Sequence, residues 1–450
     1  MKKAINKAIL FKTIAIAVLI LLMLIPLAFV ESTIDDRGQY KNEAVSKIKT
    51  SWGSDIMLAA PILNIPYTYN EVETSTVDDK IVQKTVTKTA YAKYAPAELN
   101  ANIDIKSQVR YIGIFKMPVF TADVTISGYF DEDKDIKGRL DESFISLEVS
   151  DLKGISEPIL TWGANVQKFE PSLFGTPLSL PSSKQEISRD YYRSYSPYVT
   201  LKALNSKIDF KNKTNKFELK FAIKGSGSIE FIPLGKNSVF HVSSDWADPS
   251  FFGAFLPEDK NITDNGFNAS WDINYLASSV PQKINGADLS SASFGVSFLI
   301  PVDNYRNAER AAKYGILFIA LTFIVCFVFE IATRRPIHPV QYVLVGFAMV
   351  IFYTLLISIS EFIDFSLAYV ISAAAVVSLI TLYAKFGIIK DLSAKSTALV
   401  VLSLLFLYGY LYMLLQLQDM ALFYGSIGLF VMLGVIMYMT RNIEWYIEEN

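Results

Sequence analysis

The chemically reactive side chains of this 450-residue sequence form no recognised catalytic motif. The phosphate loop GxxxxGK(S/T), the zinc helix HExxH and the nucleophile elbow GxSxG are all missing from it. A single cysteine excludes an intrachain disulfide framework and a cysteine-cluster metal site, and two distant histidines make no His-rich metal motif. Carboxylates are plentiful, but an acid–base pair cannot be assigned among them without geometry. We therefore predict no catalytic residue, no metal ion and no cofactor.

For three residues with reactive side chains, a structural role is expected in preference to a catalytic one. His241 lies in the apparent strand Ser238–Val242, with its side chain opposite to the apolar ones, so a solvent-facing or structural role is favoured over catalysis. His338 lies between two prolines in a predicted cytoplasmic turn, where shaping the loop or contacting a lipid headgroup is favoured. Cys326 falls inside an apolar helix, where a thiol behaves as a small apolar side chain.

Glu330 is the ionisable residue that falls inside a predicted membrane helix, near its inner end. Charges are costly there, which makes this residue a functional candidate. Arg334 follows one helical turn later, so an interfacial ion pair is the first expectation and a single acid in a polar path is the alternative. No series of acids and histidines crosses the predicted bundle, which disfavours a proton-driven pump.

An aromatic run between prolines, Trp246–Pro257, is the candidate recognition surface. It contains Trp246, Phe251, Phe252 and Phe255. These rings could form an exposed patch that marks an interaction site, but burial in the core of the domain is favoured.

The charges divide the chain between water and lipid. Residues 31–313 carry 68 charges in 283 positions, as a soluble domain does, whereas residues 314–440 carry ten in 127. A membrane-spanning helix needs roughly 20 predominantly apolar residues. Six segments come close to that length, and the first is read as an uncleaved anchor, with a cleaved signal peptide as the alternative. They are Thr13–Val30, Tyr314–Ala332, Val340–Ser360, Leu367–Ala384, Ser396–Leu415 and Ala421–Thr440.

The short loops predict the orientation of these helices. Basic residues concentrate in cytoplasmic loops, and here they fall on one side only. That side holds Arg334, Arg335, Lys385, Lys390, Lys395 and Arg441, and the other holds Glu361, Asp364 and Asp419.

The predicted fold is an α+β membrane protein with six transmembrane helices and a large β-rich periplasmic domain inserted between helix 1 and helix 2. Residues 1–12 and 441–450 are then cytoplasmic, 13–30 form the first helix, 31–313 the periplasmic domain and 314–440 a five-helix bundle.

Alternating apolar residues predict strands in the exported domain, as in Phe217–Ile223 and Phe294–Ile300. The sheet is expected to be antiparallel, in one large lobe or two smaller ones. Residues spaced at helical intervals from Tyr40 to Trp52 predict an amphipathic helix that continues from the anchor and packs on the β-domain, with the membrane surface as the alternative.

Several strings of residues resemble the CreD family of bacterial inner-membrane proteins. They are KYGILFIALTFIVCFVFE at 313–330, HPVQYVLVGF at 338–347, FYTLL at 352–356, TRNIEWY at 440–446, SSDWADPSFFGAFLP at 243–257 and GFNASW at 266–271. The resemblance implies a cytoplasmic-membrane protein of Gram-negative-type bacteria that is associated with cell-envelope integrity. It also implies links to an envelope-stress regulon and to colicin tolerance. The family has no established catalytic residues, so the resemblance assigns none here.

We therefore expect a non-enzymatic envelope protein whose partners are the lipid bilayer and an envelope component or protein bound by the periplasmic domain. A transporter or lipid-handling protein and a membrane-tethered periplasmic enzyme are the alternatives. The net charge of −2 argues against nucleic-acid binding, which normally requires a basic face.

Overall fold

A computed structural model of the chain describes residues 2–77, 80–131, 138, 140, 142–171, 179–181, 198–209, 215–284, 289, 292–298, 304–333, 336–388, 394–417 and 420–440. The helices are α1 (Lys2–Leu22), α2 (Leu24–Trp52), α3 (Tyr275–Ser278), α4 (Asn304–Lys313), α5 (Gly315–Thr333), α6 (Pro339–Ser360), α7 (Phe365–Tyr383), α8 (Ala394–Gln416) and α9 (Ala421–Thr440), and a π-helical turn at Ala384–Ile388 follows α7.

The strands of the described residues are β1 (Ile56–Val77), β2 (Lys80–Tyr94), β3 (Glu98–Ile112), β4 (Phe115–Tyr129), β5 (Ser143–Val149), β6 (Ile159–Trp162), β7 (Asn165–Lys168), β8 (Glu170–Pro171), β9 (Ser179–Pro181), β10 (Tyr198–Thr200), β11 (Lys202–Ile208), β12 (Lys216–Ser226), β13 (Ser228–Phe231), β14 (Asn237–Ser244), β15 (Pro249–Gly253), β16 (Asp259–Thr263), β17 (Gly266–Asn274) and β18 (Phe294–Phe298).

The chain divides into two compact units. The helical unit comprises 1–43 together with 302–450, and the β-unit comprises 44–301. These boundaries lie inside those expected at 31 and 313. The difference arises because α2 continues without a break past residue 31, and because the polar residues before α5 form the helix α4 and join the helical unit.

Two sheets form the β-unit. The first has the order β15-β18-β13-β1-β5-β11-β8, with β2 also on β1, and the second has the order β16-β17-β14-β3-β4-β12-β6-β7. The described residues also contain a two-stranded sheet of β9 and β10. The expectation of a purely antiparallel sheet is wrong in two places, because β1 pairs with β13 and β3 pairs with β14 in parallel.

One hydrophobic core lies between the two large sheets, as the alternating sequence predicts. In β12 the residues Phe217, Leu219, Phe221 and Ile223 are buried, and the intervening residues are half-buried or exposed. Side chains from both sheets belong to the same buried cluster, which makes this domain a single sandwich and selects one lobe over two.

The last turns of α2 dock on the β-unit through a small apolar cluster. Ile48 packs with Met117 and Val119 of β4, and Trp52 lies at its margin. The indole Nε1 of Trp52 donates to the carbonyl of Phe120 over 3.3 Å. This segment is therefore the predicted helix that packs on the β-domain.

A proline explains why α1 and α2 are separate helices. Pro26 has no N–H to donate to the carbonyl of Leu22, and its ring clashes with that carbonyl. The helix is interrupted at Met23, next to that carbonyl, and resumes at Leu24. Each of the six segments predicted to cross the membrane is helical in the structure.

Candidate functional site

The aromatic segment Trp246–Pro257 closes one edge of the sandwich. Its middle part, β15, leaves the second sheet to pair with β18 of the first sheet, and the chain then returns to the second sheet as β16. Phe251 lies edge-on to Phe267 and Trp271, with ring centroids 5.6 and 5.8 Å apart. Phe255 lies edge-on to Phe294 at 6.2 Å.

The structure thus gives the aromatic segment a packing role. Trp246, Phe251 and Phe255 are partly buried and pack against the core. Phe252 is also partly buried, and Leu256 is 68% exposed. Because its four aromatic rings are partly buried, this segment exposes less apolar area to a partner than four fully exposed rings would.

A cleft of about 650 Å³ lies on the outer face of the second sheet. Three of its lining residues, Ile103, Val242 and Ala269, are buried and belong to the core cluster. The other lining side chains are all polar: Asn102, Asp104, Asp123, Thr125, His241, Ser243, Asp259, Lys260, Asn261, Asn268 and Ser270. We call this set the polar cleft.

Strand register arranges most of the polar cleft in two rows, each crossing the strands β4, β3, β14, β17 and β16. The His241 row consists of Thr125, Asn102, His241, Ser270 and Asp259. The Asp104 row consists of Asp123, Asp104, Ser243, Asn268 and Asn261. With neighbouring strands about 4.8 Å apart, five strands give each row a length of about 19 Å.

His241 is exposed and lies in the middle of its row, with its neighbours Phe240 and Val242 buried on the other face. This is the orientation predicted from the sequence. The cleft itself was not predicted, although each of the five strands supplies polar residues at positions i and i+2. That spacing is visible in the sequence, but the neighbour order of the strands is not.

Two carboxylates face each other in the Asp104 row. Asp104 and Asp123 are direct partners across β3 and β4, and both are exposed. The hydroxyl of Ser243 donates to Oδ1 of Asp104 over 2.9 Å. Like charges directly opposite each other destabilise a sheet, so this arrangement carries a cost in the free protein.

The polar cleft has the chemistry of a hydrogen-bonding surface. Within the described part of the chain, no group of three or more His, Cys, Asp or Glu side chains could hold a metal ion. Asp104 and Asp123 are both exposed, so their carboxylate oxygens are accessible to a ligand. Amides, hydroxyls and carboxylates here can donate to and accept from a polar ligand.

In the helical unit, Glu330 of α5 is held by two other helices. Lys12 of α1 forms an ion pair with Oε1 of Glu330. The hydroxyl of Tyr342 in α6 donates to Oε2 over 3.0 Å. Arg334, the partner expected from sequence, lies outside the described residues. Sequence analysis did not identify Lys12 as the partner of Glu330, because pairing between distant helices cannot be read from a single sequence.

A second ion pair, between α2 and the end of α6, lies at the other end of α6. Arg37 of α2 lies 3.6 Å from Glu361, the residue that ends α6. From Tyr342 to Glu361, the rise along α6 is about 28 Å, close to the thickness of the hydrocarbon core. His338 caps the opposite end of α6, where its Nδ1 accepts from the N–H of Val340 over 3.3 Å. The histidine therefore shapes this turn, as predicted.

The helical unit exposes apolar side chains in the pattern of a membrane protein. On α6 the exposed residues Val340, Leu344, Phe347 and Ile351 recur at helical spacing. A stripe of this kind is unusual on a protein surrounded by water. Among the described residues, Phe11–Trp52, Pro339–Ser360 and Phe365–Phe386 are long and apolar enough to cross a membrane.

A fourth crossing is present if Arg306–Lys313 and Gly315–Phe327, which meet at a bend of 43°, count as one span. A shorter apolar helix covers Val400–Gln416.

Comparison with known proteins matches nearly the whole chain. The family model described as "Inner membrane protein CreD" matches residues 8–446. The inner membrane protein CreD of Escherichia coli (strain K12) is 31% identical over 438 residues, which cover 95% of this chain and 91% of the relative.

Proposed function

This chain belongs to the CreD family of inner membrane proteins, and from that premise we propose that it is a non-enzymatic protein that supports cell-envelope integrity. Its helical unit crosses the inner membrane six times with both termini in the cytoplasm. Its β-unit lies in the periplasm and binds an envelope component or a partner protein.

Three features support this topology. The ion pairs Lys12–Glu330 and Arg37–Glu361 lie near opposite ends of α6, at Tyr342 and at Glu361, where charged groups reach the interfaces of a bilayer. The basic residues of the short loops all fall on the side of Lys12. The stripe on α6 offers the lipid an apolar surface between these ends.

Cysteine labelling tests the topology, because Cys326 is the only native cysteine. In a Cys326→Ala background, single cysteines replace Phe362, Lys385 or Asn165, all of which are exposed. A membrane-impermeant maleimide should label Phe362→Cys and Asn165→Cys in intact spheroplasts. Labelling of Lys385→Cys should require permeabilisation. The reverse pattern would refute the orientation, and labelling of all three in intact spheroplasts would refute the span count.

The polar cleft is the observation that carries the binding role. It presents polar side chains from five strands on an open face, while Ile103, Val242 and Ala269, which alternate with them, are buried in the core. A surface of this kind is preformed by the sheet, so binding a ligand requires little ordering of the protein. The β-unit therefore acts as a rigid recognition module.

Photo-crosslinking in living cells tests this role. A photoreactive residue at Asn102 or Ser270, inside the cleft, should capture a specific envelope component. The control position Asn165 is exposed on β7, at the other edge of the same sheet. Equal capture from the control and the cleft would refute the binding role. A cell lacking the gene should be sensitive to envelope stress, and the chain with Asn102→Ala and Asn268→Ala should restore resistance less well than wild type.

A membrane-tethered periplasmic enzyme is the second candidate, because Asp104 and Asp123 converge in an open cleft. Both carboxyl groups lie exposed on an open face, which favours a binding role over a catalytic one. Turnover of a cleft ligand that is lost in both Asp104→Asn and Asp123→Asn would favour the enzyme. The transporter alternative is weakened, because Glu330 is paired with Lys12 and Tyr342 instead of standing alone in a polar path.

A further inference from the structure

The charge of the polar cleft excludes strongly anionic ligands. Three acidic residues, Asp104, Asp123 and Asp259, line the cleft, against one basic residue, Lys260. A phosphate group or an acidic lipid headgroup would be repelled by this surface, because binding anions requires a surplus of donors with positive charge.

The cleft also lacks what a protein partner or a lipid tail needs. Protein interfaces depend on aromatic and aliphatic anchors in desolvated pockets. The apolar residues behind the cleft, Ile103, Val242 and Ala269, are buried in the core and unavailable to a ligand. The cleft therefore offers a ligand polar groups together with the carbon atoms of the side chains that carry them.

Most of the polar side chains are uncharged. Three amides, those of Asn102, Asn261 and Asn268, both donate and accept, and three hydroxyls do the same. Such a set matches a ligand that itself carries many groups able to donate and accept, namely sugar hydroxyls and acetamido groups. The carboxylates Asp104 and Asp123 add charge-assisted acceptors for sugar hydroxyls.

The two rows give the ligand its shape. They run side by side for about 19 Å across the strands and lie about 6.7 Å apart along them. Resting on the proposed binding role of the β-unit, we propose that the polar cleft binds an uncharged glycan chain of amino sugars laid across its five strands. Asn102 and Asn268, one from each row, hydrogen-bond this chain.

Calorimetry on the full chain in detergent tests the proposal, with the β-1,4-linked tetramer of N-acetylglucosamine as the probe. Asn102→Ala and Asn268→Ala should each raise its Kd about tenfold, the effect of losing roughly one net hydrogen bond. Asn165→Ala, in the same sheet but outside the cleft, should leave the Kd unchanged. Because the probe is uncharged, a change in salt concentration of about tenfold should also leave it unchanged.

The proposal would be overturned if the tetramer did not bind at millimolar concentration, or if Asn165→Ala raised its Kd as much as the cleft variants do. It would also be overturned if the cleft bound pentalysine, a cationic probe, in a salt-sensitive way and did not bind the tetramer. Co-sedimentation with insoluble peptidoglycan, compared with binding of the neutral polysaccharide from lipopolysaccharide, distinguishes the two envelope sources of such a glycan. If the tetramer fails to bind while the cleft crosslinks capture a protein, the ligand class is wrong and the proposed function stands. If both fail, the binding role falls as well.

Discussion

The phenol of Tyr342 and the carboxylate of Glu330 are joined by a 3.0 Å hydrogen bond between α6 and α5. Lys12 of α1 pairs with the other oxygen of the same carboxylate. Both carboxylate oxygens of Glu330, a residue that is only 8% exposed, are thus satisfied by groups from two other helices. This arrangement links α1, α5 and α6 at the end of the helical unit that contains Lys12.

Removing Lys12 should therefore destabilise the helical unit. Lys12→Met leaves the charge of Glu330 buried and uncompensated, and breaking a buried pair in this way costs about 3–5 kcal/mol. The double variant Lys12→Met/Glu330→Gln removes both charges and should recover most of the loss. Thermal unfolding in detergent, followed by circular dichroism at a helical wavelength, measures all three proteins.

Lys385→Met is the matched control for Lys12→Met, because Lys385 is exposed beyond α7. Its unfolding temperature should stay close to wild type. If Lys12→Met behaves like this control, the ion pair does not stabilise the bundle.

Two glycines, Gly38 inside α2 and Gly53 directly after it, should respond in opposite directions to substitution by alanine. Gly53 follows the helix with φ of +150°, and an added Cβ would lie 2.6 Å from the carbonyl oxygen of Lys224. Gly53→Ala should therefore cost about 1–3 kcal/mol of backbone strain, in addition to the steric clash. Gly38 lies inside α2 with nothing within 4 Å of an added Cβ, so Gly38→Ala should stabilise the helix by about 0.5–1 kcal/mol.

Thermal unfolding by circular dichroism measures both glycine variants in the full chain. A loss of stability in Gly38→Ala would contradict the open surroundings of that position. Wild-type stability in Gly53→Ala would mean that the turn after α2 can rearrange without cost.

Local patterns were sufficient to predict most elements of this fold. The alternation of Phe217–Ile223 predicts a strand, and the helical spacing from Tyr40 to Trp52 predicts a helix; both are present. The register between distant strands could not be predicted, because it depends on which strands become neighbours. Asn102 and His241 are adjacent in the cleft although 139 positions separate them in sequence.

The same limit applies to the candidate residues. Glu330 was identified from its placement in an apolar helix, but its partner Lys12 lies 318 positions away. The aromatic segment from Trp246 was identified from composition. Whether its rings face solvent or the core depends on β15 crossing to the first sheet, which composition does not encode.

The turn after α2 should also give the β-unit an acid-sensitive contact at Asp151. Burial alone would raise the pKa of this carboxyl, but hydrogen bonds from the N–H groups of Lys153 and Ser54 and from the Ser54 hydroxyl outweigh it. The pKa therefore lies below its ordinary value of 3.8 in the folded protein. The unfolded chain takes up the proton first, so the stabilisation is complete above that value and is lost as pH falls through the folded pKa.

Asp151→Asn isolates this contribution. The wild type should be more stable than the variant at neutral pH, and the difference should shrink as the pH drops below 3.8. Urea midpoints followed by tryptophan fluorescence measure it, because Trp52, Trp162 and Trp246 all lie in the β-unit. A difference that does not change with pH would show that the charge of Asp151 plays no part.

Two residues of the aromatic segment allow its contribution to stability to be tested separately from its contribution to recognition. Phe251 packs edge-on against Phe267 and Trp271, so Phe251→Ser should cost about 2–4 kcal/mol and lower the urea midpoint. Leu256 is 68% exposed, and Leu256→Ser should change stability by no more than about 0.5 kcal/mol. If the segment is a recognition surface, Leu256→Ser should nevertheless reduce capture of a partner by a photoreactive residue at the exposed Ala254.

Undiminished capture in the folded Leu256→Ser and Phe252→Ser variants would remove the segment as a recognition surface. Its aromatic residues would then act only in closing the edge of the sandwich. Loss of capture in Phe251→Ser alone would carry no such meaning, because that variant removes support from Trp271, whose indole Nε1 donates to the carbonyl of Phe255 over 3.2 Å. The exposed leucine is therefore the decisive position.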